Sequence, residues 1–167
     1  MVEEDVIETD VDYAVQLLEE SGWEDTDGDG IREKDGEKLA FNLMYFAGDS
    51  MRQAVAMSVA NQAKENMGFD ITVEGVSADD TIKRMFSEPM IMGWGSDSPM
   101  TSYMLFDSSN AGKTDFYNPE FYTNEKTDEY LEKAMSSLSI EDSYEWWKKA
   151  QWDGETGTCM RGEAPWA

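Results

Sequence analysis

Two short stretches hold side chains whose types and spacing could do chemistry. In "DTDGDGIREKDGE", residues 25–37, the carboxylates of Asp25, Asp27 and Asp29 precede Gly30. Alternate carboxylates ahead of a glycine are the means by which calcium loops wrap oxygens around a hard cation. Such loops close with a bidentate Glu at position twelve, and counting from Asp25 puts Gly36 there, with no side chain to offer. Asp and Gly are also the residues that tolerate left-handed or self-bonded backbone. The expected role is therefore a tight structural turn. Asp25, Asp27 and Asp29 are the candidate metal ligands of the alternative, a weak Ca2+ site, and no other cofactor is expected.

The second stretch is "GWGSDSP", residues 93–99. Trp94 offers a flat apolar surface close to the carboxylate of Asp97, and Gly93 and Gly95 let backbone approach a ligand. An aromatic wall beside one anion suits a cationic or amine-bearing ligand. The plainer alternative is a core tryptophan followed by a turn aspartate. The candidate ligand-binding set is Trp94, Gly95, Ser96, Asp97, Met100 and Tyr103.

Other chemistries find no support. No P-loop, dinucleotide-binding glycine motif or serine nucleophile elbow is present, and the chain has no His, the commonest general base and transition-metal ligand. Its single Cys, Cys159, has neither a His to activate it nor a second Cys to pair with. Paired acids such as Glu19 with Glu20 and Asp79 with Asp80 read as helix-surface and helix-cap charge. An enzyme is not expected.

The elements that must position the second stretch follow from hydrophobic spacing. Val11, Ala14, Val15 and Leu18 recur at helical spacing between a capping Thr9 or Asp10 and a stop at Gly22. "KLAFNLMYFA" reads as a strand covered on both faces, and "SMRQAVAMSVANQAKENMG" as a helix packing through Met51, Val55, Val59 and Ala63 and ending at Gly68. "FDITVEGV" alternates as a second strand. A capping box at Ser77 and Asp80 then opens a short helix expected to bury Ile82, Met85 and Phe86. "PMIMGWG", residues 89–95, supplies a third short strand.

Strand, helix, strand repeated in this way implies a parallel sheet with right-handed crossovers. Ligands collect beyond the carboxyl ends of such strands, where "GWGSDSP" begins. Residues 96–124 read as a long irregular loop, a type that is usually functional. Two helices follow, one packing through Leu131, Ala134, Met135 and Leu138, the other started by Ser139 and Asp142, with Tyr144, Trp147 and Gln151 on one side and Trp146 and Ala150 on another.

Composition bounds the partners. With 36 acidic residues against 13 basic ones in 167, the formal charge is −23, a field that repels phosphate backbones and makes nucleic acid an unfavourable partner. No uncharged run approaches the roughly 18 apolar residues of a membrane span. A chain of this size is that of one domain.

The segments "AVQLLEESGWEDTDGDGIREKDGEKLAFNLMYF", "GWGSDSP", "YNPEFY", "AQWDGETG" and "APW", in this order, resemble the C-terminal lobe of the extracellular solute-binding proteins of peptide/nickel-type ABC importers. The resemblance implies one three-layer α/β lobe over residues 1–167, with a mainly parallel sheet and flanking helices of the periplasmic-binding-protein type II kind. It further implies a two-lobed extracytoplasmic receptor, in the periplasm or anchored at the cell surface as a lipoprotein, which closes by hinge motion on an oligopeptide or small solute and delivers it to a permease. In peptide-binding members the turn matching "WGSD" supplies an aromatic contact and an acidic partner for the ligand's α-amino group, here Trp94 and Asp97. The aspartate-rich segment of the family is a turn leading into a strand. The competing expectation is a free-standing acidic calcium-binding or interaction domain.

Overall fold

Helix α1, Val11–Glu20, starts where the Asp10 carboxylate accepts the Tyr13 amide at 2.8 Å, which satisfies one of the first-turn N–H groups. It stops ahead of Gly22, whose φ of +83° a side chain would disfavour. The computed structural model describes residues 9–95, 98–113 and 116–151, in two compact units that meet between Gly93 and Trp94 in the sequence.

In the first unit, a hairpin of β1 (Glu33–Lys34) and β2 (Glu37–Lys38) follows the aspartate turn. Next come β3 (Ala40–Phe46), α2 (Ser50–Met67), β4 (Asp70–Val76), α3 (Ala78–Arg84) and β5 (Met90–Ile91). Strand β3 lies between β4 and β5 and runs parallel to both, from Ala40↔Asp70 to Phe46↔Val76 on one side and at Met44↔Met90 and Tyr45↔Ile91 on the other. All three strands therefore finish at one edge of an open parallel sheet. The third strand is shorter than the 89–95 expected. Leu43 and Met44 point to opposite faces of β3 and both are buried, so the strand is covered on both sides at its centre, while Ala40, Phe41 and Asn42 are exposed at its start.

Helix α2 packs on β3 and β4 through a face that shares only Ala63 with the expected one. Ala56, Ala60 and Ala63 are buried, whereas Val55 and Val59 are exposed and Met51 is 78% exposed. Alanines let the helix backbone lie close to the sheet, and with apolar residues on two faces the spacing alone does not choose between them. The ends agree with expectation: Asp49 caps the start through the Arg52 amide at 2.9 Å, and Gly68 ends the helix at φ +73°. In α3 the Ser77 hydroxyl accepts the Asp80 amide at 3.1 Å and donates to the Asp80 carboxylate at 2.8 Å. Thr81 and Met85 are buried there, and Ile82 and Phe86, expected inside, are exposed. Thr81 tolerates burial because its hydroxyl donates to the Ser77 carbonyl at 3.0 Å.

The second unit contains α4 (Met100–Phe106), a 3₁₀ turn at Ser108–Asn110, α5 (Glu125–Ser136) and α6 (Ile140–Gln151). Helix α4 corrects the reading of 96–124 as wholly irregular. It starts at Pro99 without a side-chain cap, so the usual start signal is missing from the sequence. Tyr130, Leu131 and Ala150 form the core of this unit, and Tyr103, Phe106, Trp146 and Trp147 pack against it. Leu131 and Ala134 are inside as expected, but Met135 is exposed and Leu138 is 101% exposed, because α5 ends at Ser136 and leaves Leu138 beyond its last turn. Tyr144 is also exposed, since α6 turns Ser143 and Ala150 inward. The Ser139 hydroxyl accepts the Asp142 amide at 3.1 Å, the cap anticipated there. Among the described residues, no helix is long and apolar enough to cross a membrane.

Glu129 on α5 binds Lys126 at 2.8 Å and Lys133 at 2.6 Å. Hydrogen bonds from Lys126 and then Lys133 lower its pKa from 4.5 to about 2. A carboxyl with a depressed folded-state pKa adds stability above its unfolded pKa, and that stability is lost as pH falls toward the folded value. Between pH 4.5 and about 2, wild type should therefore lose more stability than Glu129→Gln, with the two converging at the acid end. Urea midpoints at stepped pH check this, and parallel curves would show that the cluster does not contribute.

Candidate functional site

Beyond Ile91, the last residue of β5, the chain passes through Met92 and Gly93 to Trp94. A Cβ at Gly93 would lie 3.0 Å from the Arg52 guanidinium, so the close approach that this glycine permits is to Arg52. Gly95 differs: among the described residues nothing lies within 4 Å of where its Cβ would be. Trp94 is 38% exposed, neither a core residue nor fully free. Its indole meets Phe116 edge to face, with centroids 6.1 Å apart and planes at 79°, inside the range in which aromatic pairs attract.

Of the other candidate residues, Met100 is exposed at the start of α4. Tyr103 is half-buried against the Tyr130–Leu131–Ala150 core, and its carbonyl accepts the Asn110 side chain at 3.0 Å. Ser96 and Asp97 lie outside the described residues, as do Cys159 and the "APW" segment.

Behind Phe116 is a segment that spacing did not single out, "FYNPEFY". Asn118 is 0% exposed. Its side-chain amide donates to the carbonyls of Asp107 at 3.1 Å and Tyr122 at 2.8 Å, and its side-chain oxygen accepts the Tyr122 amide at 2.8 Å. Its own backbone N–H reaches the Met104 carbonyl at 3.1 Å. Phe116, Asn118 and Phe121 all have positive φ, at 67°, 38° and 54°. The Asn-Pro pair marks a turn in the sequence, but nothing in a turn signal shows that the amide is buried or that Phe116 meets Trp94.

The aspartate turn belongs to the unit of residues 7–93. Oxygens of Asp25, Asp27 and Asp29 lie within 4.8 Å of one another. Asp25 accepts the amides of Gly28 at 2.7 Å and Gly30 at 3.0 Å, Asp27 that of Asp29 at 3.0 Å, and Asp29 that of Ile31 at 2.9 Å. The Lys38 ammonium from β2 sits on Asp29 and, with the Ile31 amide, lowers the pKa of that carboxyl. A cation entering here competes with Lys38 and gains no ligand from Gly36, which has φ +84°. Calcium affinity should therefore be no better than millimolar, at the weak end for calcium modules. Calorimetry giving a micromolar site that vanishes in Asp27→Ala would overturn this.

The family model described as "bacterial extracellular solute-binding proteins, family 5 Middle" matches residues 2–116. The chain belongs to this family. Two relatives are the oligopeptide-binding protein AppA of Bacillus subtilis, 33% identical over 128 residues, and protein XP55 of Streptomyces lividans, 35% identical over 130. These alignments take in 74% and 77% of this chain and 23% of each relative, so the chain spans about a quarter of their length. The solved structure of Bacillus subtilis AppA in complex with a nonapeptide superposes with a TM-score of 0.73 at 28% identity, over 88% of this chain and 30% of that one. Campylobacter jejuni NikZ in complex with Ni(L-His) superposes with a TM-score of 0.75 at 24% identity, over 87% and 30%, a likeness of fold. Family 5 membership and the open parallel sheet agree with the α/β, type II reading of the sequence, and they do not favour the alternative of a free-standing acidic calcium-binding or interaction domain.

Proposed function

We propose that this family 5 chain contributes a ligand-contacting wall to a two-lobed extracytoplasmic receptor that captures oligopeptides for an ABC importer. The receptor works outside the cytoplasm, in the periplasm or as a cell-surface lipoprotein, and hands its ligand to permease subunits. It catalyses no reaction. The single observation that carries the reading is Trp94: a partly exposed indole beside Gly95, just beyond the carboxyl end of a parallel strand. Support for peptides over other solutes comes from Bacillus subtilis AppA, a peptide binder related at 33% identity. A nickel chelate is the second reading, favoured by the fold likeness to NikZ and opposed by the absence of His from all 167 residues.

In this reading Trp94 packs beside the first residues of the peptide, Asp97 pairs with its α-ammonium group, and Gly95, Ser96, Met100 and Tyr103 complete the wall. The test is calorimetry on the receptor that carries this chain, with a free-amino nonapeptide and its N-acetylated form as probes. Tight capture of the free peptide and a marked loss on acetylation are expected. Equal binding of both forms, or of neither, overturns the proposal.

A further inference from the structure

We propose that Asn118 is a positioning residue for the ligand wall, acting through Phe116 to fix the plane of the Trp94 indole. The inference rests on the reading of Trp94 as ligand-contacting and adds to it the device that holds Trp94 in place.

Phe116 and Phe121 sit at φ 67° and 54°, in a region that side chains larger than Asn or Asp seldom occupy. Such residues persist where surrounding bonds over-determine the backbone, and they gather at functional sites. Asn118 lies between the two and supplies those bonds. Its carbonyl accepts the Phe121 amide at 3.2 Å, its side-chain oxygen accepts the Tyr122 amide at 2.8 Å, and both side-chain hydrogens are spent on the carbonyls of Asp107 and Tyr122. Its backbone N–H ties the loop to α4 at Met104. The network needs an amide: Asp in this place would set an anion against two carbonyl oxygens and lose both donors. With every polar group of a fully buried residue engaged, the turn has one conformation, and in that conformation Phe116 stands edge-on to Trp94. The ring that faces the ligand is thus oriented by a residue that never touches it.

The test labels the full chain with 5-fluorotryptophan and follows the ¹⁹F resonances of Trp94 and of Trp146, which packs on the α5–α6 core. Phe116→Leu should move the Trp94 resonance and leave Trp146 in place. Asn118→Gly removes only the side-chain amide, since glycine adopts the local φ of 38° freely, and should move Trp94 in the same direction, again without Trp146. An unmoved Trp94 in either variant overturns the proposal. So does a shift of both resonances in Asn118→Gly, which would make Asn118 a general support of the fold.

A binding cycle in the receptor completes the test. Asn118→Gly should weaken capture of the free-amino nonapeptide by about two- to tenfold, the range of one aromatic pairing, and should add almost nothing in a Trp94→Ala background. Equal losses in both backgrounds reject the positioning role. If Trp94→Ala by itself leaves capture unchanged, it is the ligand-wall reading that fails, whatever the fluorine spectra show.

Discussion

Leu131→Ala is expected to lower the unfolding free energy by about 2 to 5 kcal/mol, the range for deleting a buried leucine side chain. Leu131 is 0% exposed at the centre of the cluster with Tyr130 and Ala150, and Tyr103, Phe106, Trp146 and Trp147 pack around that cluster. Large rings cannot collapse far into the space that a leucine leaves, which places the cost toward the upper part of the range. Helix propensity does not offset it much, since Ala and Leu are both strong helix formers. The control is Leu138→Ala, seven residues on and fully exposed, which should stay within about 0.5 kcal/mol of wild type. Urea unfolding followed by circular dichroism measures both. Equal losses would show that α5 packs through the face its periodicity predicts rather than the one assigned to it.

That pair of leucines shows where the sequence was readable and where it was not. Helix ends were legible because a cap is a local event: Asp10, Ser77 and Ser139 each accept an amide three residues ahead, and Gly22 and Gly68 adopt the positive φ that stops a helix. The alternation of β3, α2, β4, α3 and β5 was legible for the same reason, and parallel pairing follows from chain connectivity. Choosing which face of an element turns inward is a tertiary decision. In α2 valines and alanines both recur at helical spacing, and the alanine face packs because the sheet lies close. In α5 the periodic run outlasts the helix, which ends at Ser136.

The candidate site divides along the same line. Trp94 stood out because an aromatic residue between two glycines after a short apolar strand is unusual in a turn, and its partial exposure fits the role assigned to it. Phe116 did not stand out, and Asn118 did so only within the "YNPEFY" match, with no role attached to it. Their importance comes from a ring contact spanning 22 positions and from an amide buried among main-chain groups, neither of which leaves a periodic trace. The aspartate turn errs in the other direction, since its ligand-like spacing is used mainly on its own backbone amides and on Lys38.

Asp97→Asn, in the receptor that carries this chain, is expected to weaken capture of a free-amino peptide at least about tenfold, and the reason is the charge of the peptide's first group. A charge-assisted hydrogen bond to a desolvated ammonium is worth about 1.5 to 3 kcal/mol, and each 1.4 kcal/mol is a factor of ten in affinity. Removing the anion also leaves the ammonium buried without a counter-charge, which enlarges the loss. The sign of the pH dependence follows. The α-amino group of a peptide titrates near 7.7 to 8.0, so wild-type capture should be strongest below about pH 7 and should fall toward the Asn variant as pH rises past about 8. N-acetylated peptide should bind weakly and without that dependence. Asp79→Asn is the control, an exposed carboxylate in the first turn of α3 whose loss should leave affinity unchanged. Titrations of both variants with the free and acetylated nonapeptide across this pH range decide the matter. If Asp97→Asn captures the free peptide as wild type does, the ammonium is not held by Asp97; if the wild-type affinity is flat through the titration of the amine, the ammonium charge is not recognised at all, and in either case Asp97 has no part in recognition.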